Sequence, residues 1–120
     1  MKLMKRLIII KQSPAIQFGH LYEHIFCSHV DALLYKHHLF PRIDYSLDGK
    51  MYYGGIVCVD IELYTAAAIA LSDAILSLQI ELNEETITIA ATQILAEKEE
   101  PLAGTGYGNI KKALEVLHAQ

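Results

Sequence analysis

Between Ile16 and about Leu39, apolar residues recur at three- and four-residue steps: Phe18, Tyr22, Ile25, Phe26, Val30, Leu33 and Leu34. That spacing predicts one long amphipathic helix, which Phe40-Pro41 stops. Before it, Leu7 to Ile10 is a β-branched, apolar run that suits a buried strand, and Ser13-Pro14 leads out of the strand and into the helix. After it, Ile43, Tyr45 and Leu47 alternate with polar residues. Asp48-Gly49 is then expected to make a two-residue hairpin turn. The return strand would run from about Lys50 to Leu63, with Gly54-Gly55 as a bulge. Thr65 can cap a second helix with a core stripe of Leu71, Ala74, Ile75, Leu78 and Leu82. Asn83, Glu84 and Glu85 read as the cap and acidic first turn of a third helix ending near Glu100, before Pro101, although Thr86 to Ile89 favour strand by propensity. Gly104, Gly106 and Gly108 make a flexible loop, and Ile110 to His118 a short terminal helix. The order β-α-β-β-α-α predicts an α+β fold in a single domain, residues 1–120: a small, mostly antiparallel sheet with helices packed on one face.

Composition narrows the class of function. The 120 residues carry a formal charge of −4, and Lys2, Lys5 and Arg6 are the only basic cluster, so nucleic acid is not expected as a partner. The four apolar residues from Leu7 are fewer than a secretory signal needs. The Ala-rich stretch from Ala66 to Ala74 is interrupted by Ser72 and Asp73, so no membrane span is expected. A soluble, cytoplasmic protein is the expectation. Cys27 and Cys58 form no CxxC pair and no disulfide framework.

The chemistry sits inside the first helix, in His20-Leu21-Tyr22-Glu23-His24. Residues three, four and seven apart share a helix face, so His20, Glu23, His24 and Cys27 point the same way, with Asp31 a turn further on. Histidines at i and i+4 can present imidazole nitrogens to one tetrahedral cation, by default zinc, one ion per chain. The glutamate between them stands close enough to take a proton from water as a general base, without being a ligand itself. The surrounding segment from Phe18 to Phe26 is apolar, so the three polar residues are not simply a solvated face, and an unpartnered charge there would be costly.

The His-x-x-Glu-His order is the inverzincin pattern, and here the chain resembles the pitrilysin/insulinase family of zinc peptidases. The likeness continues in order through a tyrosine-containing strand pair (Asp44-Tyr45-Ser46, Met51-Tyr52-Tyr53), an Ala/Leu-rich helix (Thr65 to Gln79) and the acidic-start helix Asn83 to Glu100. The resemblance implies a metallohydrolase-like domain acting on peptides, with a glutamate of that last helix as third metal ligand. Matching Ile94-Leu95-Ala96-Glu97 to the family pattern makes this Glu97. Glu100 lies on the same stripe and fits the spacing better, but Pro101 disfavours helical geometry at Glu100. Ala90 stands where the family often has a second acid. The family's peptidases use two related domains of about twice this length, and this chain corresponds to the core of one, which implies a homodimer, a smaller substrate or lost catalysis. The same superfamily fold resembles S-ribosylhomocysteinase, a small dimeric enzyme that takes its third ligand from a downstream cysteine; Cys58 is the only downstream cysteine here, in an apolar strand.

Other residues have simpler accounts. Cys27 reads as small core packing before it reads as a fourth ligand or a reactive thiol. His29, His37 and His38 fall near the helix C-terminus, where the dipole favours them. Of Tyr52 and Tyr53, neighbours on a strand, at most one could face a reacting group. The glycine loop lacks the Lys-Ser/Thr ending of a phosphate cradle. Two functions from different classes remain: a zinc-dependent hydrolase acting on a peptide or small molecule, or a non-catalytic subunit or binding module of the same fold.

Overall fold

The computed structural model describes residues 5–11, 16–52, 56–98 and 110–118, with side chains for 18–50, 57–96 and 113–118. The chain is α+β, and its elements are β1 (Lys5–Lys11), α1 (Ile16–Lys36), β2 (Tyr45–Tyr52), β3 (Ile56–Leu63), α2 (Ala66–Ile69), α3 (Ser72–Leu76), α4 (Glu84–Lys98) and α5 (Ile110–His118). The three strands form one antiparallel sheet in the order β1-β3-β2. Central β3 alternates strictly. Val57, Val59, Ile61 and Leu63 are buried in the core, while Cys58 and Glu62 between them are only half-buried. Asp60, on that same alternate set, is buried against Lys50, whose Nζ lies 3.4 Å from its carboxylate.

Helix α1 serves two cores. Phe26, Val30 and Leu34 pack with the sheet residues and with Ala68 and Ile75. Phe18, Leu21 and Ile25 pack with Ile87, Ala90, Ala91, Ile94 and Leu95 of α4 and with Ala113 and Leu117 of α5. So α1 covers the sheet, and α4 and α5 form a further layer on its far side, where the sequence suggested that all helices would touch the sheet. The Thr86 to Ile89 segment is helical despite its strand propensity. An Asn83 cap decides this: Asn83 Oδ1 accepts from the Thr86 N–H at 2.9 Å while Thr86 Oγ1 accepts from the Asn83 N–H at 3.0 Å, a reciprocal box that satisfies two otherwise orphaned donors.

Two expectations are corrected. Asp48-Gly49 is not a turn. Both residues lie inside β2, paired with Asp60 and Val59, and the reversal falls between Tyr52 and Ile56. The non-local pairing of Tyr45 and Leu47 with Leu63 and Ile61 sets the register and overrides the local turn signal. Nor is there one helix from Thr65 to Leu82. Thr65 does cap α2, accepting from the Ala68 N–H at 3.3 Å, but the helix stops at Ile69 and α3 begins at Ser72. The Ser72 hydroxyl donates to the Ile69 carbonyl, and Ser77 Oγ donates to the Asp73 carbonyl at 2.7 Å. Both serines offer the backbone an alternative to helical bonding. Gly54-Gly55, Tyr53, Glu100 and the Gly104–Gly108 loop lie outside the described residues.

Helix α1 ends in a Schellman arrangement. The Leu39 N–H bonds to the Leu34 carbonyl at 3.0 Å and the His38 N–H to the Tyr35 carbonyl at 2.9 Å, which places His38 in the left-handed region at φ 61°. Farther up the helix, His29 has a structural role of its own. Its Nδ1 donates to the Ile25 carbonyl at 2.7 Å, so Nε2 accepts from the Glu81 N–H at 3.2 Å. His118 Nε2 donates to the Leu82 carbonyl at 2.9 Å. Two imidazoles thus hold the segment that enters α4. Because left-handed backbone costs a non-glycine residue roughly 1–2 kcal/mol, His38→Gly is expected to raise stability by about 0.5–1 kcal/mol in urea denaturation. Ile61→Ala, which empties the middle of β3, is expected to lower it by about 2–5 kcal/mol.

Candidate metal centre

His20, Glu23 and His24 each offer one ligand atom, and these atoms lie within 4.8 Å of one another. Helical geometry alone brings them together: the His20 and His24 rings stand 5.0 Å apart and tilted by 58°. All three residues are half-buried. Two imidazoles and a carboxylate in a partly dry setting are a donor set suited to a divalent cation, and the group could hold one.

Glu23 is held from two sides. One oxygen, Oε2, lies 3.6 Å from His24 Nε2. The other, Oε1, lies 3.6 Å from Cys27 Sγ, with the thiol donating. Its stem runs across the face of β2 at Gly49. A Cβ added at Gly49 would come within 2.7 Å of Glu23 Cγ and 2.6 Å of Cδ, and closer still to Oε1. This is why a glycine stands mid-strand: the helix carboxylate takes the space of the missing side chain. No pattern within β2 announced it, because the signal is a close approach from an element more than twenty residues earlier in the chain.

Around this point the helix face continues as expected. Burial pushes the Cys27 thiol well up, and the negative charge of Glu23, its hydrogen bond and Asp31 push it further, in keeping with Cys27 donating to Glu23 Oε1. Asp31, one turn on, accepts from the Tyr45 hydroxyl of β2 at 2.5 Å, and burial and this bond raise the Tyr45 pKa. Glu23, Cys27, Asp31, Pro41, Arg42, Tyr45, Ser46 and Leu47 line a groove of about 360 Å³, which Glu23 alone of the candidate metal-binding group reaches. Asp31, Arg42 and Tyr45 are therefore site residues beyond the metal-ligating group, and for Arg42 and Tyr45 only the fold supplies the proximity.

The remaining expected residues fall as follows. The cores and a small cleft lined by Ile25, Ser28 and His29 of α1 with Thr86, Ile89, Ala90 and Gln93 of α4 make α4 antiparallel to α1. This carries backbone position 97 toward the His20 end of α1; the Glu97 side chain lies outside the described ones. Ala90 is buried at 2% in that helix interface, where an added carboxylate would enter an apolar layer. Cys58 alternates with the core-facing Val57 and Val59 and so projects from the opposite side of the sheet from α1. No helix among the described residues is long and apolar enough to cross a membrane. No family model, curated protein or solved structure matches the chain.

Adding a methyl group at Gly49 collides with the movable end of Glu23 rather than with backbone. Gly49→Ala is expected to cost no more than about 1 kcal/mol while displacing the carboxylate. With that negative charge farther away, the Cys27 pKa falls toward its ordinary value. In metal-free protein carrying Cys58→Ser, alkylation of Cys27 should therefore begin at lower pH in Gly49→Ala, and likewise in Glu23→Gln, than with both residues intact. Unchanged alkylation profiles would mean that Glu23 does not sit against β2.

Proposed function

We propose that the chain is a zinc-dependent hydrolase acting on peptide bonds. The observation that carries this reading is the position of Glu23: a half-buried carboxylate set between two imidazoles, anchored through one oxygen by Cys27 and seated against Gly49, with its other oxygen toward His24. A binding module has no need of a desolvated acid in that place.

His20 and His24 would hold the ion, with Glu97 as the third ligand by resemblance to the pitrilysin/insulinase pattern. Zinc, when bound, supplies Lewis-acid polarisation and makes the water it binds more acidic. Glu23 takes the proton of the water that attacks the scissile carbonyl and passes it to the departing amine as the C–N bond breaks. The Cys27 hydrogen bond to Oε1 and the floor at Gly49 keep the carboxylate from swinging away during that exchange. A cytoplasmic homodimer belongs to the same reading, and a non-catalytic subunit or binding module of the same fold is the second, favoured by Ala90.

Elemental mass spectrometry of the purified protein is expected to find near-stoichiometric zinc, lost in the His20→Ala/His24→Ala variant. Glu23→Gln should keep the metal and lower peptide hydrolysis by about 10²–10⁴-fold. Metal retained with no Glu23-dependent hydrolysis would favour the non-catalytic reading, and no metal even after zinc is supplied would sink the hydrolase reading and leave a binding module of the same fold as the better account.

A further inference from the structure

The groove that starts at Glu23 does not end at Tyr45. A second concavity of about 350 Å³, lined by Asp31, Ala32, Tyr35, Leu39, Pro41 and Tyr45, shares Asp31, Pro41 and Tyr45 with the first. Together they follow α1 from Glu23 to Tyr35. Twelve residues separate these two positions, or about 18 Å of helix. The character changes along the way. Glu23, Cys27, Asp31 and Arg42 surround the near part, and the far part reaches the exposed ring of Tyr35, against which Phe40 packs from outside the lining. Tyr35 is 70% exposed and Phe40 46%, and they meet edge to face at 6.2 Å.

That aromatic end is built, not loose. The turn presenting Phe40 and Pro41 is flanked by His38 at φ 61° and Arg42 at φ 71°, both left-handed and neither glycine. The Phe40 N–H bonds to Asp44 Oδ2 at 2.8 Å, the Asp44 N–H to the Phe40 carbonyl at 2.9 Å and the Arg42 N–H to the Tyr45 carbonyl at 2.8 Å. Thr65 Oγ1 in turn donates to Asp44 Oδ1 at 3.0 Å. Strained backbone persists where the surroundings over-determine it, and here they fix an apolar platform at one end of a groove whose other end is Glu23.

We infer that Tyr35 and Phe40 form a specificity subsite for an extended polypeptide substrate, receiving an apolar or aromatic side chain about five to six residues from the scissile bond. This rests on the hydrolase reading for the scissile bond, and on the groove alone for peptide binding. Several features select the occupant. A long groove with exposed Asp31, Tyr35 and Arg42 along it does not enclose a small molecule as compact ligand sites do. An extended chain at about 3.3 Å per residue spans it. Preformed aromatic rings reward an apolar side chain with little ordering cost.

The test uses twelve-residue peptides of alanine, glycine and serine, each with one phenylalanine moved position by position. Binding to zinc-loaded Glu23→Gln protein is followed by fluorescence anisotropy, and cleavage by the native protein is mapped by mass spectrometry. Phenylalanine five or six residues from the cleaved bond, on one side only, should tighten binding about tenfold. Tyr35→Ser and Phe40→Ser should each abolish that gain. Leu76→Ser, which removes an exposed leucine elsewhere (54% exposed), should change nothing. Zinc-dependent cleavage that ignores the phenylalanine position and both aromatic variants would overturn the subsite and leave the hydrolase reading standing. Position-dependent binding lost in Tyr35→Ser, with no cleavage, would keep the peptide groove and sink the hydrolase reading. Variants that convert a dimer to a monomer in sedimentation without altering peptide binding would make this patch a subunit contact and overturn the proposal.

Discussion

Helix α1 has to satisfy two apolar layers at once, the sheet on one side and α4 with α5 on the other. A helix has only so much circumference, and two apolar faces leave a narrow polar strip between them. That strip carries His20, Glu23, His24, Cys27 and Asp31, placed at three- and four-residue steps. The candidate metal centre is half-buried and at Glu23 rests against β2, where a carboxylate and imidazoles keep access to a ligand while losing part of their water. Such a location strengthens every electrostatic interaction made there, and it also demands that each polar group find a partner.

The partners found are specific. Glu23 is divided between a thiol and an imidazole, and β2 yields space for it at Gly49. Burial and the charges of Glu23 and Asp31 raise the thiol's pKa, and the thiol donates to the carboxylate. Tyr45 bridges from β2 to Asp31 in the same way, so the edge strand is tied to the helix at two places along the groove. The site is thus a joint between one helix and one strand, stiff at Gly49 and Tyr45 and open between them.

Much of this was legible in the linear chain. The α+β class, the presence of β1 around Leu7 to Ile10, the long helix and the terminal helix at Ile110–His118 follow from periodicity and caps, which are local properties of the backbone. The one-sided cluster of His20, Glu23 and His24 is local too. The errors share a cause. Asp48-Gly49 carries the composition of a hairpin turn, yet its glycine answers to a side chain from α1. Thr65 to Leu82 carries a helical stripe, yet the Ser72 and Ser77 hydroxyls redirect backbone carbonyls, as local propensity did not weigh. His29 looked like a residue suited to the helix dipole, yet it joins α1 to the Glu81 backbone, fifty-two residues away.

What the sequence by itself determined was the identity and spacing of the donors, since 3.6 residues per turn brings i, i+3 and i+4 together wherever the helix is placed. What only the tertiary structure decided was the environment of those donors: which strand lies under Glu23, that Cys27 donates to it, and that Tyr45 and the turn at Phe40 extend the site into a groove. These depend on strand register and helix docking, which are set by the summed burial of residues far apart in the chain and have no local signature to read.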